Sequence, residues 1–314
     1  MRSSFRTPKP VADASLASTS AVWRQRLVDW AMLVKFRLSI MVLFSALMAY
    51  GIVGGSHASW SDWLLLAVGG FLVTGAANAL NQVLEREYDA LMKRTANRPV
   101  AVGRISVSTA VLSAGVMAAL GLSVLTCFNP LTGFLGTLSF VIYAFLYTPL
   151  KRYTPLAVVV GAIPGALPVV IGAAAWEGHW SPMASLLFVL QFFWQFPHFW
   201  AVAWVADEDY KRAGFYLLPT RGGRRTPVVG LLSAAFCLFS MLSVLLGYFA
   251  DLLSGGAALA LFLVNLYFTD KCWKLYRKAD DTAARQQMFA SFVHLPLSLL
   301  IVLMDNILEF GKLF

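Results

Sequence analysis

Charged residues are scarce in this chain. Only 13% of its 314 residues are Asp, Glu, Lys or Arg, whereas 59% are hydrophobic. An ordinary soluble domain is about 25% charged, so this composition excludes a protein of that kind. Helices satisfy their own backbone hydrogen bonds inside lipid. We therefore expect an all-α membrane protein that crosses the bilayer several times.

Cysteine is also rare. The three cysteines, Cys127, Cys237 and Cys272, lie in or beside apolar segments. They have neither the number that a disulfide framework needs nor the spacing of a zinc site. We interpret them as small buried hydrophobic residues.

The N-terminus lacks an apolar run followed by a cleavage site, so we expect no secretory signal peptide. Residues 1–20 are rich in Ser, Thr and Ala, which is typical of a disordered tail. We predict a disordered or amphipathic cytoplasmic segment over residues 1–30. Because no long linker follows, we predict one polytopic domain over residues 31–314.

Nine apolar stretches are each long enough for a helix that crosses a bilayer, which takes about 20 residues. They lie near residues 36–55, 61–81, 105–127, 131–149, 154–174, 182–205, 227–249, 254–276 and 289–309. Four prolines interrupt the fourth and fifth stretches, and neighbouring helices can satisfy the carbonyls that such breaks leave free. We predict a bundle of nine transmembrane helices.

Basic residues outnumber acidic ones, and the net charge is +9. If the nine stretches alternate across the bilayer, every Lys and Arg except Lys312 lies on the side of the N-terminus. Cytoplasmic loops carry such an excess of cations. We therefore expect a multi-pass protein of the inner (cytoplasmic) membrane, with its N-terminus in the cytoplasm. The cations are scattered among the loops, which argues against a nucleic-acid partner.

Three oxygen-bearing side chains occur at intervals of four residues at the end of the second stretch. On a helix, Asn81, Glu85 and Asp89 would lie within an arc of about 80° and span about 12 Å. Mg²⁺ prefers a few carboxylates together with phosphate oxygens and water, and Arg94 and Arg98 suit the charge of a diphosphate. The pattern predicts a Mg²⁺–diphosphate site. The alternative is an ordinary helix end whose carboxylates pair with nearby cations.

Two further pairs of cations lie on the same side of the membrane. Lys151 and Arg152 separate the fourth and fifth stretches, where they suit either a diphosphate or the anchoring of the helices. Lys35 and Arg37 precede the first stretch. We interpret this second pair as plain anchors of the first span.

Several motifs occur together in an order typical of one family. They are Asn81-x3-Glu85-x3-Asp89-x2-Met92-x-Arg94-Thr95-x2-Arg98-Pro99, Tyr147–Arg152, Gly161–Pro168, Trp194–Trp200 and Asp209–Gly214. With these motifs the chain resembles the UbiA-type intramembrane prenyltransferases and, within that family, the haem O synthase branch. It departs from the family pattern at Phe36, where Pro is frequent, and at Val169, which replaces the second of two prolines.

His198 lies within the aromatic-rich sixth stretch, where an ionisable residue is a candidate for function. Its imidazole can bind haem iron or exchange a proton near neutral pH; the alternative is a hydrogen-bonded structural histidine, which is how we interpret His294. Asp207 and Asp209 follow this stretch. They are candidates for a second Mg²⁺ or for a solvated acidic cluster balanced by neighbouring cations.

The resemblance implies that the chain transfers a farnesyl group from farnesyl diphosphate to a vinyl group of haem b, giving haem O for haem A and terminal oxidase biosynthesis. It implies Mg²⁺ as cofactor, and haem b, farnesyl diphosphate and membrane lipid as partners. Haem A synthase and terminal oxidase assembly proteins are expected protein partners. The implied metal ligands are Asn81, Glu85, Asp89, Asp207 and Asp209, the implied diphosphate ligands are Arg94, Arg98, Lys151 and Arg152, and His198 is the implied haem ligand.

Two other interpretations remain open from the residues. One is a prenyltransferase of the same family that acts on an aromatic, quinone-precursor or chlorophyll-type acceptor. The other is a transporter, because proline-broken helices and intramembrane polar groups are compatible with transport. A transporter would need polar groups near the bilayer midplane on several helices, whereas this chain gathers them at one face.

Overall fold

The computed structural model describes residues 12–57, 59–221 and 223–310. A helix covers Ala12–Leu33, where the composition favours disorder as far as residue 20. The rest of the expected tail, residues 1–11, lies outside the described ranges.

The described chain is almost entirely helical. Its helices are α1 (Ala12–Leu33), α2 (Phe36–Gly54), α3 (Trp60–Leu84), α4 (Arg86–Asp89), α5 (Val107–Thr126), α6 (Pro130–Val141), α7 (Thr148–Leu150), α8 (Ala157–Glu177), α9 (Pro182–Val205), α10 (Asp207–Arg212), α11 (Val228–Phe249), α12 (Gly255–Lys278) and α13 (Asp281–Phe310). A 3₁₀ turn (Gly55–His57) follows α2, and a π-helical segment (Ile142–Tyr147) joins α6 to α7. Two short antiparallel strands, β1 (Thr220–Arg221) and β2 (Arg224–Arg225), form a hairpin in which Thr220 pairs with Arg225.

The predicted spans coincide with the long helices. Eight segments of the described chain are long and apolar enough to cross a membrane, which confirms the class of fold. They comprise α2, α3, α5, the segment from α6 to α7, α8, α9, α11 and α13. The ninth predicted span corresponds to α12, whose second half carries Asp270, Lys271 and Lys274. This helix falls outside the apolar set, so the count of nine is not confirmed.

Many of these helices begin at a capping side chain. The hydroxyl or amide oxygen of the capping residue accepts a hydrogen bond from the backbone N–H three residues later, as is usual at helix N-termini. The caps are Ser59, Ser106, Asn129, Ser181 and Ser254. They fix where the chain turns back into the bundle.

The long helices surround a central helix, α8. It packs against α2, α6 and α9, and α9 in turn contacts α11 and α13. Among the eight candidate membrane-spanning segments α8 is the most deeply buried, with 78% of its most apolar part inside the protein. Because α8 contains Pro168, the carbonyl of Pro164 loses its helical partner; the Ser139 hydroxyl donates to it at 3.3 Å instead.

A glycine allows α8 to approach α2 closely. A Cβ atom added at Gly172 would collide with the backbone carbonyl of Ala46. We predict that Gly172→Ala lowers the free energy of unfolding by about 1–3 kcal/mol, because the two backbones must separate. Chemical unfolding in detergent, followed by circular dichroism, would measure this change.

Gly115 in α5 provides the matched control, because a Cβ there would meet no atom within 4 Å. Gly115→Ala should stabilise the protein by about 0.5–1 kcal/mol, the usual gain of Ala over Gly in a helix. Equal effects at the two sites would contradict the close approach of α2 and α8.

Candidate active site

The site is built where α3 leaves the membrane. Asn81 lies in the last turn of α3, Glu85 lies at the break between α3 and α4, and Asp89 ends α4. Because the break at Glu85 is slight, the three side chains stay on one inward face, and all three are buried. The three oxygen-bearing side chains thus form a stripe on one face and point to the protein interior, and their role as metal ligands stays a prediction.

A lysine reaches this stripe from the turn between α1 and α2. Lys35 has a left-handed backbone (φ 47°), which is uncommon for a residue with a side chain. Its Nζ donates to Asn81 Oδ1 at 2.6 Å and to the Tyr143 hydroxyl at 3.4 Å. The interpretation of Lys35 as a plain membrane anchor is therefore wrong.

Each carboxylate of the stripe has a cation of its own. Lys151 Nζ lies 2.6 Å from Glu85 Oε1, and Arg98 Nη1 lies 2.7 Å from both oxygens of Asp89. The hydroxyl of Thr95 donates to the backbone carbonyl of Asp89 at 3.0 Å, which holds the following loop against α4. The expected helix-end ion pairs thus exist, but they are buried rather than solvated.

Two side chains of this cluster, Lys35 and Asp89, have a pKa shifted in the direction that disfavours their charged form. Burial raises the pKa of Glu85, but Lys151, Lys35 and Arg98 outweigh it and lower this pKa below its ordinary value. Burial lowers the pKa of Lys151, and Glu85 more than reverses that effect. Burial, with repulsion from Arg98 and Lys151, holds the pKa of Lys35 well below its ordinary value. Burial raises the pKa of Asp89 despite the attraction of Arg98. The ammonium of Lys35 would therefore gain from an anion, and the carboxylate of Asp89 from a cation.

The other predicted acidic residues lie in the short helix α10, which follows α9. Asp209 accepts hydrogen bonds from the backbone N–H groups of Lys93 and Arg94 at 3.2 and 3.3 Å, so it ties α10 to the loop that follows α4. Asp207 pairs with Lys211 at 2.7 Å and lies 3.7 Å from Arg225. Their role as metal ligands stays a prediction.

The remaining predicted diphosphate ligands contact tyrosines. Arg152 Nη1 donates to the Tyr88 hydroxyl at 2.6 Å, and Arg94 lies over the ring of Tyr210 at 6.0 Å. Neither forms an ion pair within the part of the chain that the structure describes. Both guanidinium groups are thus available to an anionic ligand.

A cavity of about 230 Å³ lies among the membrane helices. It is lined by α2, α3, α6, the π-helical segment, α8, α9 and α13, and its surface is mainly apolar. Tyr143 belongs both to this lining and to the hydrogen bonds around Lys35. His198 lines the cavity from α9. Glu85, Asp89 and their cations do not line it, so Tyr143 is what connects the cavity to the charged cluster.

Packing and hydrogen bonding hold the imidazole of His198 in place. The ring stacks on Trp194, with centroids 4.8 Å apart and planes inclined by 12°. Its Nδ1 lies 2.8 Å from the hydroxyl of Ser291 on α13. His294 instead bonds Asn265 at 3.2 Å and packs on Phe268, as the structural interpretation predicted.

The side chains of this site match Mg²⁺ in the type of ligand but are too few to complete its coordination. Asn81, Glu85 and Asp89 each offer a side-chain oxygen atom, the kind of ligand that Mg²⁺ prefers. Within the described residues, no group of three His, Cys, Asp or Glu side chains is arranged to hold a metal ion. A metal bound here would therefore take its other ligands from phosphate and water, as Mg²⁺ commonly does.

The fold and the site together place this chain in a known class. The model of the UbiA prenyltransferase family matches residues 42–293, and the chain belongs to that family. It is an intramembrane prenyltransferase.

Among curated proteins, the chain is similar to enzymes named protoheme IX farnesyltransferase. That of Cytophaga hutchinsonii is 40% identical over 88% of this chain and 96% of its own length. That of Christiangramia forsetii is 39% identical over 90% of this chain and 95% of its own.

Solved structures show the same fold at lower identity. A digeranylgeranylglyceryl phosphate synthase superimposes with a TM-score of 0.75 at 16% identity, covering 90% of this chain and 99% of its own. A UbiA homologue from Archaeoglobus fulgidus, bound to GPP and Mg²⁺, gives a TM-score of 0.65 at 16% identity, covering 87% and 99%.

The ion pair of Lys151 yields a test that depends on pH. We predict that Lys151→Met lowers the free energy of unfolding by about 3 kcal/mol at neutral pH, because it leaves Glu85 buried without its partner. The pKa of Glu85 is lowered in the folded wild type. Its stabilising contribution is therefore complete above the ordinary Glu pKa of about 4.3 and is lost as the pH falls through the lowered value.

Unfolding of wild type and variant in detergent over a pH series would measure the difference. The gap should be widest at neutral pH and narrow on acidification. Arg152→Met is the matched control, since Arg152 bonds a tyrosine rather than a carboxylate, and its effect should be smaller and independent of pH. A pH-independent gap for Lys151→Met would contradict the pairing.

Proposed function

We propose that this chain transfers the farnesyl group of farnesyl diphosphate to a vinyl group of haem b and so forms haem O. One observation carries the proposal: a buried cluster of carboxylates and cations adjoins an apolar cavity, and an imidazole lines the cavity wall. The names of the curated relatives favour haem over an aromatic, quinone-precursor or chlorophyll-type acceptor. The family match argues against a transporter.

The charges of the cluster suit a Mg²⁺–diphosphate. Lys35, Lys151 and Arg98 face Glu85 and Asp89, which leaves one positive charge in excess. A fully ionised allylic diphosphate with one Mg²⁺ carries one negative charge and would neutralise it. The cations can then turn from the carboxylates to phosphate oxygens, and the carboxylates to the metal, so that no charge is left buried and unpaired.

Asn81, Glu85 and Asp89 would hold Mg²⁺, which would supply Lewis-acid stabilisation of the leaving group when bound. Lys35, Arg98 and Lys151 act at the diphosphate oxygens, where charge grows as the allylic C–O bond breaks. Arg94 is exposed and Arg152 is half-buried, and both would bind the distal phosphate. Since the donors are already in place, little reorganisation accompanies bond breaking.

The apolar cavity would hold the farnesyl chain and the reacting edge of haem b. Burial excludes bulk water from the allylic cation, and aromatic faces such as that of Tyr147 attract it. The vinyl π-electrons form the new C–C bond, and water then adds to the cation that remains beside the ring. His198 is the residue that faces haem, and no enzyme nucleophile is needed.

Substitution of either carboxylate of the stripe should slow the transfer strongly. We predict that Glu85→Gln and Asp89→Asn each lower kcat by about 100-fold, the usual loss when one group that stabilises developing charge is removed. The assay combines purified protein, haem b, farnesyl diphosphate and Mg²⁺, with mass spectrometry of the haem. Chelation of Mg²⁺ should stop the reaction.

Asp270→Asn is the matched control, because Asp270 pairs with Lys274 on the surface of α12 and should leave the rate unchanged. Normal turnover by Glu85→Gln and Asp89→Asn would refute the metal assignment. If the wild type made no hydroxyethylfarnesyl product in a competent assay, the substrate assignment would be refuted.

We further propose that the chain lies in the inner membrane with its N-terminus in the cytoplasm. The positions of the cations support this orientation, as does the side on which the charged cluster lies, since diphosphate substrates are cytoplasmic. A reporter enzyme active only in the cytoplasm should be active when fused before residue 1 or inserted in the loop after β2. It should be inactive when inserted beside Asn129, and the reverse pattern would overturn the orientation.

A further inference from the structure

One face of α9 presents a row of hydrogen-bond acceptors to the cavity. Gln191, Gln195 and His198 all line it, and at these intervals they lie within an arc of about 60°. Gln191 Nε2 donates to the carbonyl of Gly165 at 2.8 Å, and Gln195 Nε2 donates to that of Ala162 at 2.9 Å. Each amide nitrogen thus donates to a carbonyl of α8, and Gln195 Nε2 also donates to the carbonyl of Gln191 at 3.2 Å. The Oε1 atoms are the acceptors of the two amides.

Hydrogen bonding to Ser291 fixes which nitrogen of His198 carries the proton. The Ser291 hydroxyl donates its single hydrogen to the carbonyl of Met288 at 2.5 Å. It must therefore accept from His198 Nδ1, which lies 2.8 Å away. In the neutral ring the other nitrogen, Nε2, is then an acceptor. Trp194 holds this arrangement from the other side, since its Nε1 donates to the backbone carbonyl of Ser291 at 2.9 Å.

One of these three acceptors is fully buried and unpaired: Gln191 Oε1 has no donor among residues 12–57, 59–221 and 223–310. Within the same residues no donor bonds Gln195 Oε1 or His198 Nε2, which keep some accessible surface at the cavity. Gln191 and Gln195 are only 4% and 3% exposed, and buried polar atoms are nearly always satisfied. The farnesyl chain has no hydrogen-bond donor and cannot satisfy them.

Water is the ligand that matches such a row. It has two O–H donors, and side chains three or four residues apart on a helix are neighbours, with Cβ atoms about 5–6 Å apart. One water can therefore bridge Gln195 and His198, and another can bridge Gln191 and Gln195. The proposed reaction consumes one water in a cavity that otherwise excludes it.

We propose that the Gln191–Gln195–His198 row binds the water that ends the reaction, and that His198 Nε2 takes its proton. The inference rests on the proposed function. The allylic C–O bond breaks and its electron pair leaves on diphosphate; the vinyl π-pair then forms the C–C bond. The water oxygen bonds to the cationic carbon beside the ring, and one proton of that water passes to Nε2. Ser291 is a positioning residue, because it acts only through the tautomer of His198.

The test measures the ratio of the two products that can form from the carbocation beside the haem ring. Without a bound water, this cation loses a proton from the neighbouring carbon and gives an alkene that lacks the hydroxyl group. We expect Gln191→Met and Ser291→Ala to raise the alkene-to-alcohol ratio by about fivefold, the effect of one lost hydrogen bond. Ser291→Thr, which keeps the hydroxyl, should restore the wild-type ratio. Mass spectrometry resolves the two products, and water labelled with heavy oxygen should mark the alcohol.

Gln287→Met is the matched control. Gln287 is also buried, donates to the Pro197 carbonyl and the Ser233 hydroxyl, and has an Oε1 without a donor among the described residues. It does not line the cavity. This variant should keep the wild-type product ratio whatever its rate or stability.

An unchanged ratio in both Gln191→Met and Ser291→Ala would overturn the inference and leave farnesyl transfer intact. The inference also fails if Ser291→Ala alters the spectrum of bound haem without altering the alkene-to-alcohol ratio, since His198 would then bind the haem iron. A wild type that forms no farnesylated haem would remove the proposed function and this inference together. If Ser291→Ala fails to accumulate, Gln191→Met supplies the same measurement.

Discussion

Charge buried at the edge of the bilayer is the constraint on which this structure depends. Glu85 and Asp89 lie in a protein interior where an isolated carboxylate would be far more costly than in water. They are tolerated because Lys151 and Arg98 meet them at 2.6 and 2.7 Å. These cations come from separate loops, so the same pairs that neutralise the site also draw the loops together over the end of α3.

The apolar bundle makes such a cluster possible. Its close helix contacts, as between Gly172 and Ala46, leave a mainly apolar cavity at the level of His198. The charged cluster adjoins this cavity through Tyr143, whereas Gln191, Gln195 and His198 line it from α9. This separation suits a reaction that must release an anion at one place and restrain a cation at another.

The fold could be predicted from sequence to within a few residues at most helix ends, because apolar length and the distribution of Lys and Arg are strong signals. The stripe of Asn81, Glu85 and Asp89 was equally visible, since its spacing matches the helical period. Lys35 was missed, because its position depends on a left-handed turn that no neighbouring Gly announces. Only the departure of Lys35-Phe36-Arg37 from the family pattern singled out that turn. Ser291 was also missed, since one serine in an apolar helix has no local pattern, and its role depends on a contact across 93 positions of chain.

The π-helical segment Ile142–Tyr147 determines in which direction the side chains of α7 and Lys151 point. A π turn accommodates one residue more than an α turn, and one residue corresponds to about 100° of rotation around the axis. The carbonyl of Tyr143 accepts hydrogen bonds from both the N–H and the hydroxyl of Thr148. That hydroxyl in turn accepts a hydrogen bond from Asn81 Nδ2. Counted as a regular α-helix, the same chain would direct Lys151 away from Glu85. The extra residue of the π turn thus rotates the segment that carries Lys151 by about 100° relative to α6.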